Sequence, residues 1–385
     1  MSYDFDCVID RRSTESAKWH AYAQDVLPLW VADMDFACPE PVIQALRERV
    51  SHGVFGYPAE PPDLRCVIVD WMWRSYGWRV APESLVFLPG IVVGFNLAIR
   101  AVANPGDDVL AQTPVYFPIL WAPANAGCSL GTTELSHMPD GSYGVDMDAF
   151  VAAITPRTKV FVLCNPHNPV GRVFRRDELE AMALACRRSD LVICSDEIHC
   201  DLVYDGHHHL PVASLDPEIG QHTITLMAPS KTFNIAGLHS SFAVIENADL
   251  RKAFVKARAG LVSGVSVMGY AAMLAAYRDG RPWLDALLRY LQSNRDFLAD
   301  TVASGLPGIT MRKPEGTFLA WLDCRASLAP GNPKRFFLER ARVALNGGAS
   351  FGPGGEGFVR LNFGCPRATL AEALGRMANS LESQS

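Results

Sequence analysis

The sequence predicts an α/β protein with a mainly parallel central sheet in a large domain and a smaller α+β domain. Its 385 residues exceed the usual span of one hydrophobic core. Strand-like apolar runs alternate with helical stretches from about residue 85 to 245, and the pattern then becomes more helical before short strands return. We therefore predict an N-terminal segment at 1–45 that packs with the small domain, a large domain at 46–280 and a small C-terminal domain at 281–385.

The individual elements follow from local patterns. Residues 39–49 show helical apolar spacing with Pro41 near the start. Residues 85–88 form an apolar run that ends at Pro89-Gly90, so a strand, a turn and a helix at 91–102 are predicted. The glycine-rich segment 347–357 is predicted to lack regular structure. The remaining predicted elements are strands at 160–164, 191–194, 223–228, 316–321 and 358–363, and helices at 177–188, 248–259 and 283–304.

Composition argues against several classes of protein. A net charge of -6 without a long basic run is unlike a nucleic-acid-binding protein. The ten cysteines include no CxxC pair, so neither a zinc site nor a disulfide framework is predicted, and residues 207–209 (HHH) are interpreted as a polar turn rather than a metal site. The N-terminus lacks an apolar signal region and no apolar stretch is long enough to span a membrane, which favours a cytoplasmic protein.

Three polar side chains follow three of the predicted strands. Asn168 comes after strand 160–164, Asp196 after strand 191–194, and Lys231 after strand 223–228. In open α/β sheets, ligands bind in the crevice beyond the carboxyl ends of the strands, so we expect these three groups to converge. An amine for a Schiff base and a carboxylate for a pyridinium nitrogen are what pyridoxal 5'-phosphate (PLP) requires, and burial would lower the pKa of the amine. The sequence therefore predicts a PLP site, with Lys231 as the catalytic residue.

Each of these residues also has an ordinary structural interpretation. Lys231 could be a solvated residue at the end of a strand. Asp196 could cap a following helix, and the adjacent Glu197 is equally consistent with capping. Asn168 could simply be a turn residue before Pro169. Only the three residues together favour the chemical interpretation.

Other candidates extend the predicted site. The backbone of Ile91 and Val92, at a glycine turn into a helix, could bind phosphate, and Ser230 could add a hydroxyl. Tyr116 could stack on the cofactor ring, although a buried aromatic side chain is the commoner meaning of such a residue. Arg360 lies inside an apolar strand, where it requires a partner. That partner could be the α-carboxylate of a substrate or a carboxylate of the protein itself.

Several motifs resemble those of one known family. The sequence is similar to the MalY/PatB-type carbon-sulfur β-lyases, or cystathionine β-lyases, which are fold type I PLP enzymes of the aminotransferase class I/II superfamily. The likeness covers nearly the whole chain. The motifs that carry it are residues 195–199 (SDEIH), 165–171 (NPHNPVG), 230–238 (SKTFNIAGL), 29–36 (LWVADMDF), 314–323 (PEGTFLAWLD) and 359–363 (VRLNF).

This resemblance implies roles for the candidate residues. Lys231 would bind PLP covalently, Asp196 would pair with the pyridinium nitrogen, Asn168 would contact the ring oxygen, Tyr116 would stack on the ring and Arg360 would bind the substrate carboxylate. The large domain at 46–280 would be the PLP-binding domain.

The resemblance also implies a homodimer with shared sites, in which Tyr57 reaches the phosphate in the neighbouring subunit. His199 occupies the position where many aminotransferases carry a tyrosine, and a histidine there is the lyase-like choice. His239 stands where many relatives place a phosphate-binding arginine, and a histidine is only partly charged near neutral pH.

The hypothesis from the sequence is cleavage of cystathionine or another S-substituted L-cysteine to a thiol, pyruvate and ammonia. Three alternatives stay open at this point. An aminotransferase shares the early steps but needs a keto-acid acceptor. A specialised biosynthetic lyase would act on a larger cysteine conjugate, and a regulatory protein would use the same fold to bind a partner.

Overall fold

The computed structural model describes residues 3–327 and 331–382, which form an α/β fold. The strands are β1 Leu27–Pro28, β2 Leu85–Leu88, β3 Asp108–Thr113, β4 Ser129–Glu134, β5 Ser136–His137, β6 Tyr143–Gly144, β7 Thr158–Cys164, β8 Val192–Asp196, β9 Thr223–Met227, β10 Ser241–Val244, β11 Thr310–Met311, β12 Leu319–Asp323, β13 Val343–Ala344, β14 Asn346–Gly347 and β15 Phe358–Asn362. The helices are α1 Ala17–His20, α2 Glu40–Ser51, α3 Leu64–Tyr76, α4 Ile91–Val102, α5 Phe117–Asn125, α6 Met147–Ala152, α7 Arg176–Arg188, α8 Pro217–Gln221, α9 Pro229–Thr232, α10 Ala248–Arg258, α11 Val267–Asp279, α12 Arg281–Gly305, α13 Pro333–Phe336 and α14 Arg367–Glu382.

A seven-stranded sheet in the order β2-β10-β9-β8-β7-β3-β4 forms the centre of the fold. Neighbouring strands from β9 to β4 run parallel, and β10 is antiparallel to both β2 and β9. The prediction of a mainly parallel sheet is confirmed. Parallel strands have their carboxyl ends at the same edge of the sheet. The segments that follow β7, β8 and β9 therefore lie at one crevice.

Apart from the edge strand β4, the strands of this sheet are buried, which explains why the inner ones are largely continuous apolar runs rather than alternating ones. Leu226 packs with Phe95 of α4 on one face, whereas Leu163 packs with Leu179 of α7 on the other. The contact with α4 is close: a Cβ at Gly94 would lie 2.8 Å from Leu226 Cδ2. Only glycine allows α4 to approach β9 this closely.

A second, antiparallel sheet has the order β11-β12-β15-β14. The N-terminal segment contacts the C-terminal part of the chain through the parallel pair β1–β13, in which Leu27 lies opposite Val343. This pairing is consistent with the predicted packing of the N-terminal segment, while the domain boundaries stay a prediction.

Most element predictions are confirmed, including the strand Leu85–Leu88 and the helix Ile91–Val102. The strand predicted at 316–321 instead spans Leu319–Asp323, since residues 315–317 bond to the backbone of other loops. The glycine-rich segment contains β14 residue Gly347 and a short 3-10 turn at Gly348–Phe351, so it is more ordered than predicted. Among the described residues, no helix combines the length and apolar character needed to cross a bilayer.

Candidate active site

A cavity of about 460 Å³ opens at the carboxyl ends of β7, β8 and β9. This volume lies within the range of small-molecule sites. The cavity brings together every predicted site residue except Tyr57. Its lining includes Ile91, Val92, Tyr116, Asn168, Asp196, His199, Ser230, Lys231, His239 and Arg360.

Asp196 is the last residue of β8 and its carboxyl group is buried. Its Oδ1 accepts a hydrogen bond from the Ile198 backbone N–H at 3.2 Å, but the residues that follow form turns and not a helix. The helix-cap interpretation is therefore wrong. The pKa of Asp196 is raised to about 7: burial is the main cause and the nearby Glu197 adds to it, whereas the hydrogen bond from the Ile198 N–H and the charge of Lys231 oppose it. A carboxyl group in this state is stabilised by a cation placed beside it in the cavity.

Lys231 lies on the short helix α9, directly after β9. Its Nζ donates a hydrogen bond to the Ala32 carbonyl oxygen. The pKa of Lys231 is lowered to about 8: burial is the main cause and the charge of Arg360 adds to it, whereas Asp33 and Asp196 act in the opposite direction. The interpretation as a solvated strand-end residue is wrong, because the amine is enclosed and faces the cavity. At mildly alkaline pH a substantial fraction of this amine is neutral and nucleophilic.

Arg360 projects from β15 into the same cavity. One guanidinium nitrogen, Nη1, donates to Asn168 Oδ1 at 3.0 Å. The other, Nη2, donates to the Trp30 carbonyl at 2.8 Å and to Asn346 Oδ1 at 2.7 Å. These acceptors are all neutral, so the alternative of an internal salt bridge is not observed among the described residues. Burial lowers the pKa of Arg360 to about 10. An anion beside the guanidinium would stabilise its charged form.

Asn168 and Tyr116 lie on one wall of the cavity. The Asn168 carbonyl accepts the Tyr116 backbone N–H at 3.0 Å, and the Asn168 side chain is buried. Asn168 is thus more than a turn residue, since its amide oxygen bonds the Arg360 guanidinium. The Tyr116 ring is only partly buried, and burial raises the pKa of its hydroxyl. Both side chains line the cavity, so the Tyr116 ring and the Asn168 amide can contact a ligand there.

His199 faces the cavity from the loop after β8. Burial lowers its pKa well below the ordinary value, and the positive charges of Lys231 and Arg360 add to that effect. The imidazole is therefore neutral. Its Nδ1 is buried and lacks a hydrogen-bond partner among the described residues.

The amino-terminal end of α4 forms the opposite side of the cavity, with Ile91 buried and Val92 exposed. Free backbone N–H groups at such a helix start favour an anion. Ser230 lies nearby in the lining, and His239 lies at the rim, exposed and with a positive φ of 51°. The sequence reasoning missed Ser240, whose buried Oγ lacks a partner in the described part of the chain.

Tyr57 is the one predicted site residue that lies outside the cavity. Its side chain is fully exposed and borders a separate shallow groove. A position outside the subunit's own cavity is what the predicted role in a neighbouring subunit requires, and that role stays a prediction.

The histidine run 207–209 is not simply a polar turn. His207 and His208 are exposed, but His209 is buried, and its Nε2 lies 2.6 Å from Glu197 Oε2. Glu197 also accepts a hydrogen bond from Ser195 Oγ at 2.8 Å. Glu197 is therefore a buried carboxyl group held by hydrogen bonds to His209 and Ser195, and not a helix cap. The local sequence gave no signal for this pairing, because its partners meet only in three dimensions.

Comparison with known proteins identifies the family. Residues 24–377 match the family described as "Aminotransferase class I and II". The cystathionine beta-lyase PatB of Bacillus subtilis is 39% identical over 391 residues, which cover 98% of this chain and 100% of PatB. The chain belongs to the aminotransferase class I and II family. Its resemblance to the MalY/PatB type within that family is also confirmed by this relative.

Solved structures of the family superimpose closely on the fold. The crystal structure of OvoB is 46% identical, with a TM-score of 0.95, and the match covers 99% of this chain and 100% of OvoB. Cystalysin from Treponema denticola, whose crystal structure contains pyridoxal 5'-phosphate, is 32% identical with a TM-score of 0.96 and covers 100% of both chains. The fold type I assignment is thereby confirmed.

The cavity of this family member fits PLP on its own structural features. Burial raises the pKa of Asp196, and a pyridinium nitrogen beside it would supply a cation that stabilises the carboxylate. The buried polar atoms His199 Nδ1, Ser240 Oγ and Arg360 Nε all belong to cavity residues and lack partners among the described residues. Buried polar atoms in native proteins are normally hydrogen-bonded, so these three are available to the polar groups of a ligand in the cavity.

The N-terminal segment 30–36 is a part of the site to which the sequence reasoning gave no role. The Asn362 amide donates to the Val31 and Asp33 carbonyls, both at 2.6 Å. Asn234 bonds both the N–H and the carbonyl of Met34, at 3.0 and 2.9 Å. These two side chains hold the segment against the cavity. Both lie in motifs that carried the family resemblance, which was the available signal.

Proposed function

We propose that this protein is a PLP-dependent carbon-sulfur β-lyase that cleaves cystathionine or another S-substituted L-cysteine to a thiol, pyruvate and ammonia. The observation that carries the proposal is the convergence of the Lys231 amine, the Asp196 carboxyl and the Arg360 guanidinium on one cavity. Similarity to PatB, which is named a cystathionine beta-lyase, supports the choice of reaction.

Each cavity residue has a place in holding the cofactor. Lys231 would bind it covalently, Asp196 would pair with the ring nitrogen and Asn168 would bond the ring oxygen. Tyr116 would stack on the ring. The backbone at the start of α4 and the hydroxyls of Ser230 and Ser240 would hold the phosphate, with His239 at the rim and His199 near the ring.

The chain's own groups then orient the substrate and move its protons. Bound PLP supplies an electron sink for the bonds around the substrate Cα. Arg360 would bind the α-carboxylate through its cationic guanidinium, in which Nε has no protein partner among the described residues. Lys231 Nζ accepts the Cα proton, and its pKa of about 8 suits a base that works near neutral pH. The Cβ–S bond would then break, and the sulfur would leave as a thiol on taking back the proton held by Lys231 Nζ. Water would hydrolyse the remaining three-carbon fragment to pyruvate and ammonia.

The decisive experiment is incubation of the holoenzyme with cystathionine and with other cysteine S-conjugates in the absence of any keto acid. A lyase releases thiol and pyruvate over many turnovers. An aminotransferase stops after one turnover and resumes only when a keto acid is added. The second result would replace the proposed reaction with transamination on the same site.

Lys231→Ala tests the covalent role of the amine. This variant should lose turnover and the visible absorbance of the lysine-bound cofactor, because no other lysine lines the cavity among the described residues. Lys252→Ala serves as the matched control, since Lys252 is exposed on α10 and pairs with Asp249. Full activity of Lys231→Ala would overturn the assignment.

We also propose that the protein acts as a homodimer with shared sites. Val54, Phe55 and Tyr57 lie on one loop and are each more than half exposed. Val92, at the wall of the cavity, is also exposed. Exposed apolar loops of this kind typically mark protein interfaces. A second copy that covered this loop would bring Tyr57 toward a neighbouring cavity.

A further inference from the structure

The catalytic lysine sits on a helix that cannot hold itself in place. Helix α9 has four residues, Pro229–Thr232, and the backbone departs from helical geometry at Phe233 and again at Asn234, which has a positive φ of 56°. So short a helix has very little intrinsic stability, since nucleation is not repaid by later hydrogen bonds. The position of Lys231 must therefore be fixed by contacts from outside α9.

Asp201 provides such a contact. Its Oδ2 accepts a hydrogen bond from Thr232 Oγ1 at 2.7 Å, and Thr232 is fully buried next to Lys231. Its Oδ1 accepts from Trp71 Nε1 at 3.1 Å and from Tyr76 Oη. All three donors are neutral, and hydrogen bonds to a carboxylate are stronger than those between neutral groups.

The other side of this junction is rigid. Trp71 and Tyr76 belong to the 13-residue helix α3, and the Trp71 ring packs edge-on against Phe233 and Tyr277 at centroid distances of 5.7 and 5.4 Å. Asp201 thus joins the short helix of the lysine to a long helix in the core. It also lies only five residues after Asp196, on the loop that leaves β8. The hydrogen bond between Thr232 and Asp201 therefore links the helix that carries Lys231 to the loop that follows Asp196.

We propose that Asp201 is a positioning residue for catalysis, which fixes the Lys231 amine relative to the Asp196 carboxyl through its hydrogen bond to Thr232. The inference rests on the proposed function, in which both groups hold PLP. It extends that function to a residue outside the cavity lining. Loss of the bond is expected to loosen α9 rather than to remove a group that touches substrate.

The first test uses the protein without cofactor. Thr232→Val keeps the shape of the side chain but removes the donor to Asp201, whereas Thr232→Ser keeps the donor. Hydrogen exchange of the Phe233 amide, which bonds the Pro229 carbonyl at 2.9 Å, reports on the order of α9. Exchange should become about tenfold faster in Thr232→Val, as expected for one lost hydrogen bond, and should stay near the wild-type rate in Thr232→Ser.

The second test uses the holoenzyme. Thr232→Val and Asp201→Asn should lower kcat about tenfold with little change in KM, because misplacement of a reacting group affects the chemical step more than binding. The pH midpoint of the visible absorbance of the lysine-bound cofactor should also shift. Tyr76→Phe is the matched control: it removes one donor to Asp201 but leaves the bond to Thr232, so it should keep the wild-type kcat and pH midpoint.

The outcomes separate the two proposals. If wild-type protein fails to bind PLP at Lys231, the proposed function fails, whereas the exchange experiment still tests the tether. If wild-type protein binds PLP and Thr232→Val keeps the wild-type exchange rate, kcat and pH midpoint, the positioning role is overturned. Should Thr232→Val not fold, Asp201→Asn decides by the same three measurements. Equal losses in Tyr76→Phe and Thr232→Val would show a purely structural role and would also overturn the proposal.

Discussion

The Asp196 carboxyl illustrates how a single residue is arranged for a ligand at the expense of stability. Its folded-state pKa of about 7 lies above the ordinary value of 3.8, so the folded protein without cofactor holds a proton that the unfolded chain releases between these pH values. Because the unfolded chain ionises this group at lower pH than the folded protein does, the free energy of unfolding falls as pH rises from about 4 to 7. This loss of stability is complete above pH 7.

We expect Asp196→Asn to stabilise the cofactor-free protein. The variant keeps the acceptor for the Ile198 N–H but carries no charge. At pH 8 its free energy of unfolding should exceed that of the wild type by a few kcal/mol, since each pKa unit corresponds to about 1.4 kcal/mol. The advantage should shrink as pH falls toward 4. Urea unfolding of both proteins at pH 4, 6 and 8 measures it, and an Asp196→Asn variant that is less stable at pH 8 would contradict the expectation. PLP affinity should fall in the same variant.

A second residue-scale prediction concerns the buried pair of His209 and Glu197. His209→Ala removes the imidazole that bonds the buried Glu197 side chain, while the hydrogen bonds from Ser195 and Val212 remain, and a lost bond of this kind typically costs about 1.5–3 kcal/mol. We expect a loss of that order in thermal or urea unfolding. His208→Ala, which removes an exposed side chain from the same run, should stay within about 0.5 kcal/mol of wild type. Equal effects of the two substitutions would show that the pair does not stabilise the fold.

At the scale of elements, the site depends on the attachment of segment 30–36 to the lysine-bearing region. Lys231 and Arg360 both donate to carbonyls of this segment, those of Ala32 and Trp30. The segment therefore forms one wall of the cavity and also satisfies two of its cations. Asn234 secures the segment, because its side chain bonds Met34 much as a paired strand would.

Asn234→Gly should release this wall. Glycine accepts the positive φ of 56° at this position, so the variant removes the amide without adding backbone strain. Hydrogen exchange of the Met34 amide should become at least about tenfold faster, because the variant removes the acceptor of this N–H together with the two bonds from Asn234 Nδ2 to the Met34 and Phe36 carbonyls. Asn247→Gly is a control, since Asn247 caps the distant helix α10. Protection of Met34 that is unchanged in Asn234→Gly would show that other contacts hold the segment.

At the scale of the whole molecule, the cavity is incomplete in a single chain if the proposed dimer is correct. Tyr57 lies outside the cavity of its own subunit, yet the family resemblance assigns it to a phosphate. In a mixed dimer of two different variants, both defective residues can fall in one of the two sites, which leaves the other site intact.

We expect Lys231→Ala and Tyr57→Ala proteins, each inactive or weakened alone at limiting PLP, to regain activity after subunit exchange. Half of the randomly formed dimers contain one site with both residues intact, so about one-quarter of wild-type activity should return. Lyase assays after mixing, with sedimentation velocity to confirm dimers, measure this. No recovery after exchange verified by native mass spectrometry would rule out shared sites.

Much of the fold and the centre of the site could be predicted from the sequence. Strand ends are local features, and parallel strands place the segments after them at one edge, so Asn168, Asp196 and Lys231 could be assigned to one crevice. The cofactor followed from the types of these residues. Local patterns also suggested Ile91, Val92, Ser230, Tyr116 and Arg360. The family resemblance alone supplied His199 and His239, which no local pattern distinguishes from other polar residues.

The amino-acid sequence by itself determined the sheet, the crevice and the chemistry of the three groups within it, because each depends on spacing along a few neighbouring residues. The tertiary structure decided which buried charges are paired and which are left for a ligand. Glu197 is hydrogen-bonded to His209, whereas Asp196 and Arg360 form no salt bridge among the described residues. Contacts between segments far apart in the chain, such as Met34 with Asn234, enclose these groups. The burial that results sets the free energy of each charge.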